Sequence, residues 1–200
     1  MSSDARTLPL AETSLSHFFM RRLRRCADSL GHRPQEDTFW YLGSLLDRFG
    51  RSDAVFSYEE GRLTLRPLAQ LYGDAREAGS ERERCMLLRQ LGDLALFLGA
   101  LFPQRFARRG IRRDYFVGMG GSAYDYLADN AHRNRHIFSE LAATFTHMLE
   151  LVARSCEPTG QIGAEDVLAL YRRWMQTRDP AAERQLRALG IALESTQRKH

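Results

Sequence analysis

The run Leu94 to Phe102, LALFLGALF, contains nine consecutive residues without a polar side chain. A helix that is apolar on every side must be covered on every side, so this run belongs at the centre of a core. It extends an amphipathic lead-in, CMLLRQLGD, in which Arg89, Gln90 and Asp93 fall within about 100° of one another at helical spacing. Pro103 ends the helix, because its ring removes a backbone N–H and clashes with the preceding turn. The run is well short of the roughly 18 apolar residues that span a bilayer, so it predicts a buried core helix and no membrane insertion.

Around it the apolar spacing is almost everywhere three and four, which predicts an all-α fold. Leu15, Phe18, Phe19, Leu23, Cys26, Ala27 and Leu30 form one helical stripe that ends at Gly31. Asp37 is placed to cap a helix over 38–49, and Ser80 with Glu83 has the spacing of a capping box at the start of the central helix. Pro67 opens a helix to about Ala78. Asp114 is placed to cap a helix from Tyr115 through the glycine run, with a break over Ala131 to Arg135. Ile137 to Cys156 reads as one amphipathic helix, Ala164 to Arg178 as another, and Asp179-Pro180 opens a short last one. The period changes only between Val55 and Leu65, where a Glu59-Glu60-Gly61 turn suggests a short β-hairpin. The expectation is a single helical domain over 13–193, a bundle of about seven helices, with a loose arm at 1–12 and a frayed tail at 194–200.

Composition agrees: 200 residues at 44% apolar and 27% charged are enough for one core and too apolar for disorder. The three cysteines are odd in number and far apart, each beside apolar neighbours, as free thiols of a reducing cytoplasm are. The N-terminal residues lack the basic-then-apolar pattern of a signal peptide. Of the 29 basic residues Lys199 is the one lysine, leaving 29 − 1 = 28 arginines.

Three groups of residues invite a chemical reading. His132, His136, Glu140 and His147 lie within about 80° of one another on a continuous helix, a spacing that can hold zinc or iron. The apolar stripe of the same helix is centred about 140° away, so a solvated polar face is the preferred reading. Gly118, Gly120, Gly121 and Ser122 could cradle a phosphate at a helix N-terminus. They match no established phosphate-loop pattern, and close approach to a neighbouring helix explains small residues better. Arg21 and Arg25, with Arg105, Arg108, Arg109, Arg112 and Arg113, could form one basic surface for nucleic acid. The stretch from Leu101 to His136 holds seven arginines against Asp114, Asp125 and Asp129, a local +4 equal to the net charge of the whole chain. No helix-turn-helix, zinc-finger or RNA-binding signature accompanies them.

The segments LGDLALFLGALFP, DYFVGMGGSAYDYLA and LALYRRWMQTRDPAAERQLRALGI together resemble an uncharacterised family of bacterial, mostly proteobacterial, hypothetical proteins, over about residues 38 to 191. The resemblance implies an all-helical bacterial cytosolic protein and carries over no catalytic residue. Gly120-Gly121 is richer in glycine than the family pattern, which makes a strict helix there less secure.

The chain has no GxSxG elbow, CxxC, HExxH or nucleotide loop, so no catalytic residue and no cofactor is expected. By exclusion, the sequence points to a cytoplasmic regulatory or accessory protein acting through contact with another protein, or with itself as a homodimer. Arginine and aromatic residues, the types that dominate interface hot spots, are plentiful; Trp40, Tyr41, Phe106 and Trp174 are the aromatics to inspect.

Overall fold

A computed structural model describes residues 15–51, 57–59, 62–64, 68–157, 164–189, 191 and 193. The expected arm, the tail and the loop at Pro158 to Gly160 lie outside these residues, as do the Glu60-Gly61 turn and the capping position at 13–14. The helices in chain order are α1 (Leu15–Leu30), α2 (Glu36–Arg51), α3 (Leu68–Glu77), α4 (Glu81–Leu101), α5 (Pro103–Ala107), α6 (Arg113–Asn130), α7 (Arg135–Ala143), α8 (Phe145–Cys156), α9 (Ala164–Thr177) and α10 (Pro180–Ala188). Nine of them have nine residues or more, so the expectation of about seven was too low. Two three-residue segments, β1 (Ser57–Glu59) and β2 (Arg62–Thr64), pair antiparallel with Tyr58 opposite Leu63. Among the described residues no helix is long and apolar enough to cross a membrane.

α4 packs against α3, α5, α6 and α8, and is buried without a break from Leu91 to Ala100. The nine-residue apolar run therefore sits where its composition requires, although its last residues, Leu101 and Phe102, are only half-buried. Ser80 Oγ accepts from Glu83 N at 3.2 Å, which satisfies one free donor of the first turn. The Glu83 carboxylate reaches back to Gly79 N, also 3.2 Å, one residue earlier than in a capping box.

The face that α4 turns toward α6 and α8 is made of small residues. A Cβ on Gly92 would lie 2.8 Å from Cε1 of Tyr124, and one on Gly99 would lie 2.9 Å from Leu149 Cδ2 and 3.0 Å from Phe116 Cβ. From the α6 side, a Cβ on Gly120 would overlap the Phe145 ring at Cζ and lie 3.0 Å from Ala95 Cβ. Hydrogen at these Cα positions is what lets aromatic rings lie against the helix backbone.

Where one helix was expected over 137–156, the structure has two, joined at Thr144. Its φ of −122° leaves the helical region, and its hydroxyl bonds the Glu140 carbonyl at 2.7 Å, a contact known to bend helices. The bend lets one amphipathic sequence serve two surfaces: α7 lies on α2 and α6, while α8 lies on α1 and α4.

Two expected caps are also corrected. Asp37 and Asp114 fall in the first turns of α2 and α6, where a negative charge favours the helix dipole, not at the capping positions. Asp179 does cap α10, accepting from Ala181 N at 2.9 Å. The break before α7 is as expected: Asn134 takes a left-handed φ of 63°, and Arg135 turns back to the last carbonyls of α6 at Ala128 and Asp129.

Candidate functional site

Asp93 is the most consequential polar residue in the structure. Its position on α4 groups it with Arg89 and Gln90, yet those two are exposed and Asp93 is only 3% exposed. Oδ1 accepts from the Tyr41 hydroxyl of α2 at 2.5 Å and from the Tyr124 hydroxyl of α6 at 2.8 Å. Oδ2 accepts from Arg48 Nη2 of α2 at 2.6 Å, and Arg89 Nε lies 3.9 Å away. Arg89 Nε also donates to the Tyr41 hydroxyl at 3.3 Å, with its guanidinium over that ring. Phe138 of α7 closes the group, edge-on to Tyr41 and stacked on Tyr124.

The group exists because Gly92 leaves room for the Tyr124 ring, bringing its hydroxyl to the next residue along α4. Burial, and then the negative charge of Asp93, hold both tyrosine hydroxyls well above their ordinary pKa of 10. They stay protonated and can only donate to Asp93. Each Asp93 oxygen already has a donor at short range, and the arginines are half-exposed at the rim. A carboxylate so occupied is poorly placed to abstract a proton, and what the geometry does is tie α2, α4 and α6 at one point.

The histidine group does not form on one helix. His132 precedes α7 and is exposed, His136 and Glu140 are on α7, and His147 is on α8 beyond the bend. His136 Nε2 meets Asp37 Oδ2 at 2.9 Å. The Glu140 carboxylate accepts from Gln35 N at 3.2 Å and from the buried Thr38 hydroxyl at 2.5 Å, serving the start of α2. His147 faces the His32 ring at 5.5 Å between centroids. Among the described residues no three or more His, Cys, Asp or Glu side chains gather in a way that could hold a metal ion.

The glycine run lies inside α6, where backbone N–H groups are spent on helical bonds and none is left to cradle an anion. Gly120 packs as described, whereas a Cβ on Gly118 or Gly121 would meet nothing within 4 Å, and Ser122 is exposed. The three glycines should therefore respond differently to alanine. Gly118→Ala and Gly121→Ala are expected to stabilise by roughly 0.5–1 kcal/mol through helix propensity. Gly120→Ala should destabilise by about 1–3 kcal/mol, because the Phe145 ring must move in a filled core. Urea unfolding of the three variants checks this, and equal signs at all three positions would refute the packing account.

The arginines are divided. Arg21 and Arg25 are exposed on α1, and Arg108, Arg109, Arg112 and Arg113 are exposed around the α5–α6 connection; of Arg105 only the backbone position in α5 is described. Arg22, next to Arg21, donates to the Glu157 carbonyl at the end of α8, while Arg113 donates to the Thr146 carbonyl at its start, 3.1 Å away. These anchors are about 16 Å apart along α8 at 1.5 Å per residue, so the two groups sit at opposite ends of one helix. Of the aromatics, Tyr41, Phe106 and Trp174 are core, whereas Trp40 is 44% exposed. The three cysteines are free and half-buried; burial and the neighbouring Glu81 push the Cys85 thiol up to about 11, which makes it a poor nucleophile.

A feature that periodicity did not mark is an open cleft of about 300 Å³ between α3, α4 and α6. Ala75 and Leu88 form its floor, with Tyr72, Arg76, Arg84 and Tyr126 around it. Arg84 is held in place by Ala75 O at 3.1 Å and the Tyr126 hydroxyl at 3.3 Å; that hydroxyl donates to Glu81 Oε1 at 3.0 Å. Tyr72 is 46% exposed. The signal available in sequence was the i, i+4 pair Tyr72 and Arg76, which shares a face of α3. Set against known proteins, the chain matches no family model, no curated protein and no solved structure, so it is an all-helical protein whose chemistry has to be read from these side chains.

Proposed function

We propose that this chain is a regulatory or accessory protein that works by binding another protein, with the cleft between α3, α4 and α6 as its contact surface. One observation carries the reading: two tyrosines and two arginines, types that dominate interface hot spots, surround a small apolar floor at the surface. The buried polar group at Asp93 supports it indirectly, since its donors are committed to joining helices. The free thiols fit a reducing cytoplasm, and the motif resemblance fits a bacterial source. Nucleic acid is the weaker alternative, because no nucleic-acid-binding signature accompanies the arginines and their two groups are anchored at opposite ends of α8. A bound metal has still less support.

A photocrosslinking phenylalanine analogue placed at position 72, in cells that express the protein naturally, tests the reading. The expected result is a discrete adduct with a second protein at 72 and none from the same analogue at Gln185, an exposed position on α10. An adduct of twice the chain mass would identify the partner as a second copy. Equal labelling at both positions, or none at 72, would overturn the proposal.

A further inference from the structure

We infer that the cleft between α3, α4 and α6 takes an acidic peptide segment, a carboxylate seated between Arg76 and Arg84 with a neighbouring apolar side chain laid on Leu88 and Ala75. This rests on the proposed function and adds the chemistry of the partner. Arg76 makes no ion pair or hydrogen bond with any described residue, and no carboxylate is among the six residues that line the cleft. Glu81, in the first turn of α4, is already engaged by the Tyr126 hydroxyl and lies 3.6 Å from Arg84 Nη1. Two guanidinium groups thus line a cleft that has no carboxylate in its own lining, an arrangement that suits an incoming carboxylate.

Arg84 is fixed by α3 through Ala75 O and by α6 through Tyr126, so its planar fork is already oriented before anything binds. A carboxylate arriving there meets one guanidinium held by hydrogen bonds and one, that of Arg76, which is exposed. Small-ligand sites run from about 300 to 1,000 Å³ and enclose most of their ligand. This cleft is at the lower limit, and the Tyr72 and Arg76 side chains that border it are exposed, so it holds one or two side chains of something larger.

The test is selection of random dodecapeptides displayed on phage against the full chain, followed by affinity measurement of the enriched peptides on wild type, Arg76→Glu and Tyr72→Ala. The expected result is enrichment of peptides with Asp or Glu within a few positions of Leu, Phe or Tyr. Their affinity should fall with added salt and drop at least tenfold on Arg76→Glu, and replacing their acid by Lys should restore binding to that variant. Arg76 is exposed, so an unchanged melting temperature will establish that the variant is folded; Arg76→Gln serves as a second variant with no reversed charge. Enriched peptides that lack an acid, peptides that bind Arg76→Glu as well as wild type, or no enrichment would each overturn the inference. So would benzoate or indole-3-acetate shifting amide resonances around the cleft while no peptide binds, since the carboxylate would then belong to a small molecule. A crosslinked partner at position 72 that is retained by Arg76→Glu would leave the contact function standing and remove only the acidic chemistry. Acidic peptides that bind without any crosslinked partner would do the reverse.

Discussion

Replacing Asp93 by alanine should lower the free energy of unfolding by about 3–5 kcal/mol, the sum of two buried hydroxyls left unsatisfied and a small void. The loss is not chiefly that of an ion pair, because Arg48 and Arg89 are roughly half-exposed and regain water. It comes from the Tyr41 and Tyr124 hydroxyls, buried and left without an acceptor, at about 1–3 kcal/mol each, with the small void added. The same reasoning yields a second arm. If the cost lies in the orphaned hydroxyls, adding Tyr41→Phe and Tyr124→Phe to the alanine variant should recover more than half of it, since removing both sides of a hydrogen bond is cheaper than removing one. Urea titrations of the single and triple variants make the comparison. A single-variant loss below 1 kcal/mol, or a triple variant no better than the single, would show that Asp93 does not tie the three helices together.

Phe97→Ala is the other large effect, about 3–5 kcal/mol. The ring is fully buried, with its centroid 4.5 Å from that of Phe49 on α2 and 5.8 Å from that of Phe102 at the end of α4. Truncation removes the aromatic contact between α2 and α4 and leaves a cavity walled by two helices that Asp93 still ties together, so little collapse can compensate. Met86→Ala on the same helix, at a side chain 62% exposed, should change stability by less than about 0.5 kcal/mol. Thermal or chemical denaturation of the two variants distinguishes a burial effect from a general sensitivity of α4. Similar losses at both sites would undo the account of α4 as a helix with one wet end and one dry one.

These two residues show how differently the sequence spoke. Phe97 was readable because it stands in a run with no polar alternative, and burial is the only stable fate of such a helix. Asp93 was misplaced because a wheel drawn on one helix knows only the neighbours on that helix. It lies on the same side as Arg89 and Gln90, and only the arrival of Tyr41, Arg48 and Tyr124 from α2 and α6 supplies the donors that make its burial affordable. The histidine spacing failed for a related reason: it presumed a straight helix, and the Thr144 hydroxyl bends the chain before His147 is reached.

By itself, the sequence determined the all-helical class, the place of α4 at the centre, the stops at Gly31 and Pro103 and the start at Asp179-Pro180, because periodicity, ring closure and capping act within a turn or two of chain. It favoured close packing for the glycine run as a whole, which holds at Gly120 and not at Gly118 or Gly121. Tertiary structure alone decided which polar residues are buried, where one amphipathic stripe divides between two partners, and which arginines face a cleft. Those outcomes depend on distances between residues far apart in sequence. Glu140 reaches the start of α2 at Thr38, and Tyr126 of α6 meets Arg84 of α4, through contacts that no local rule of spacing encodes.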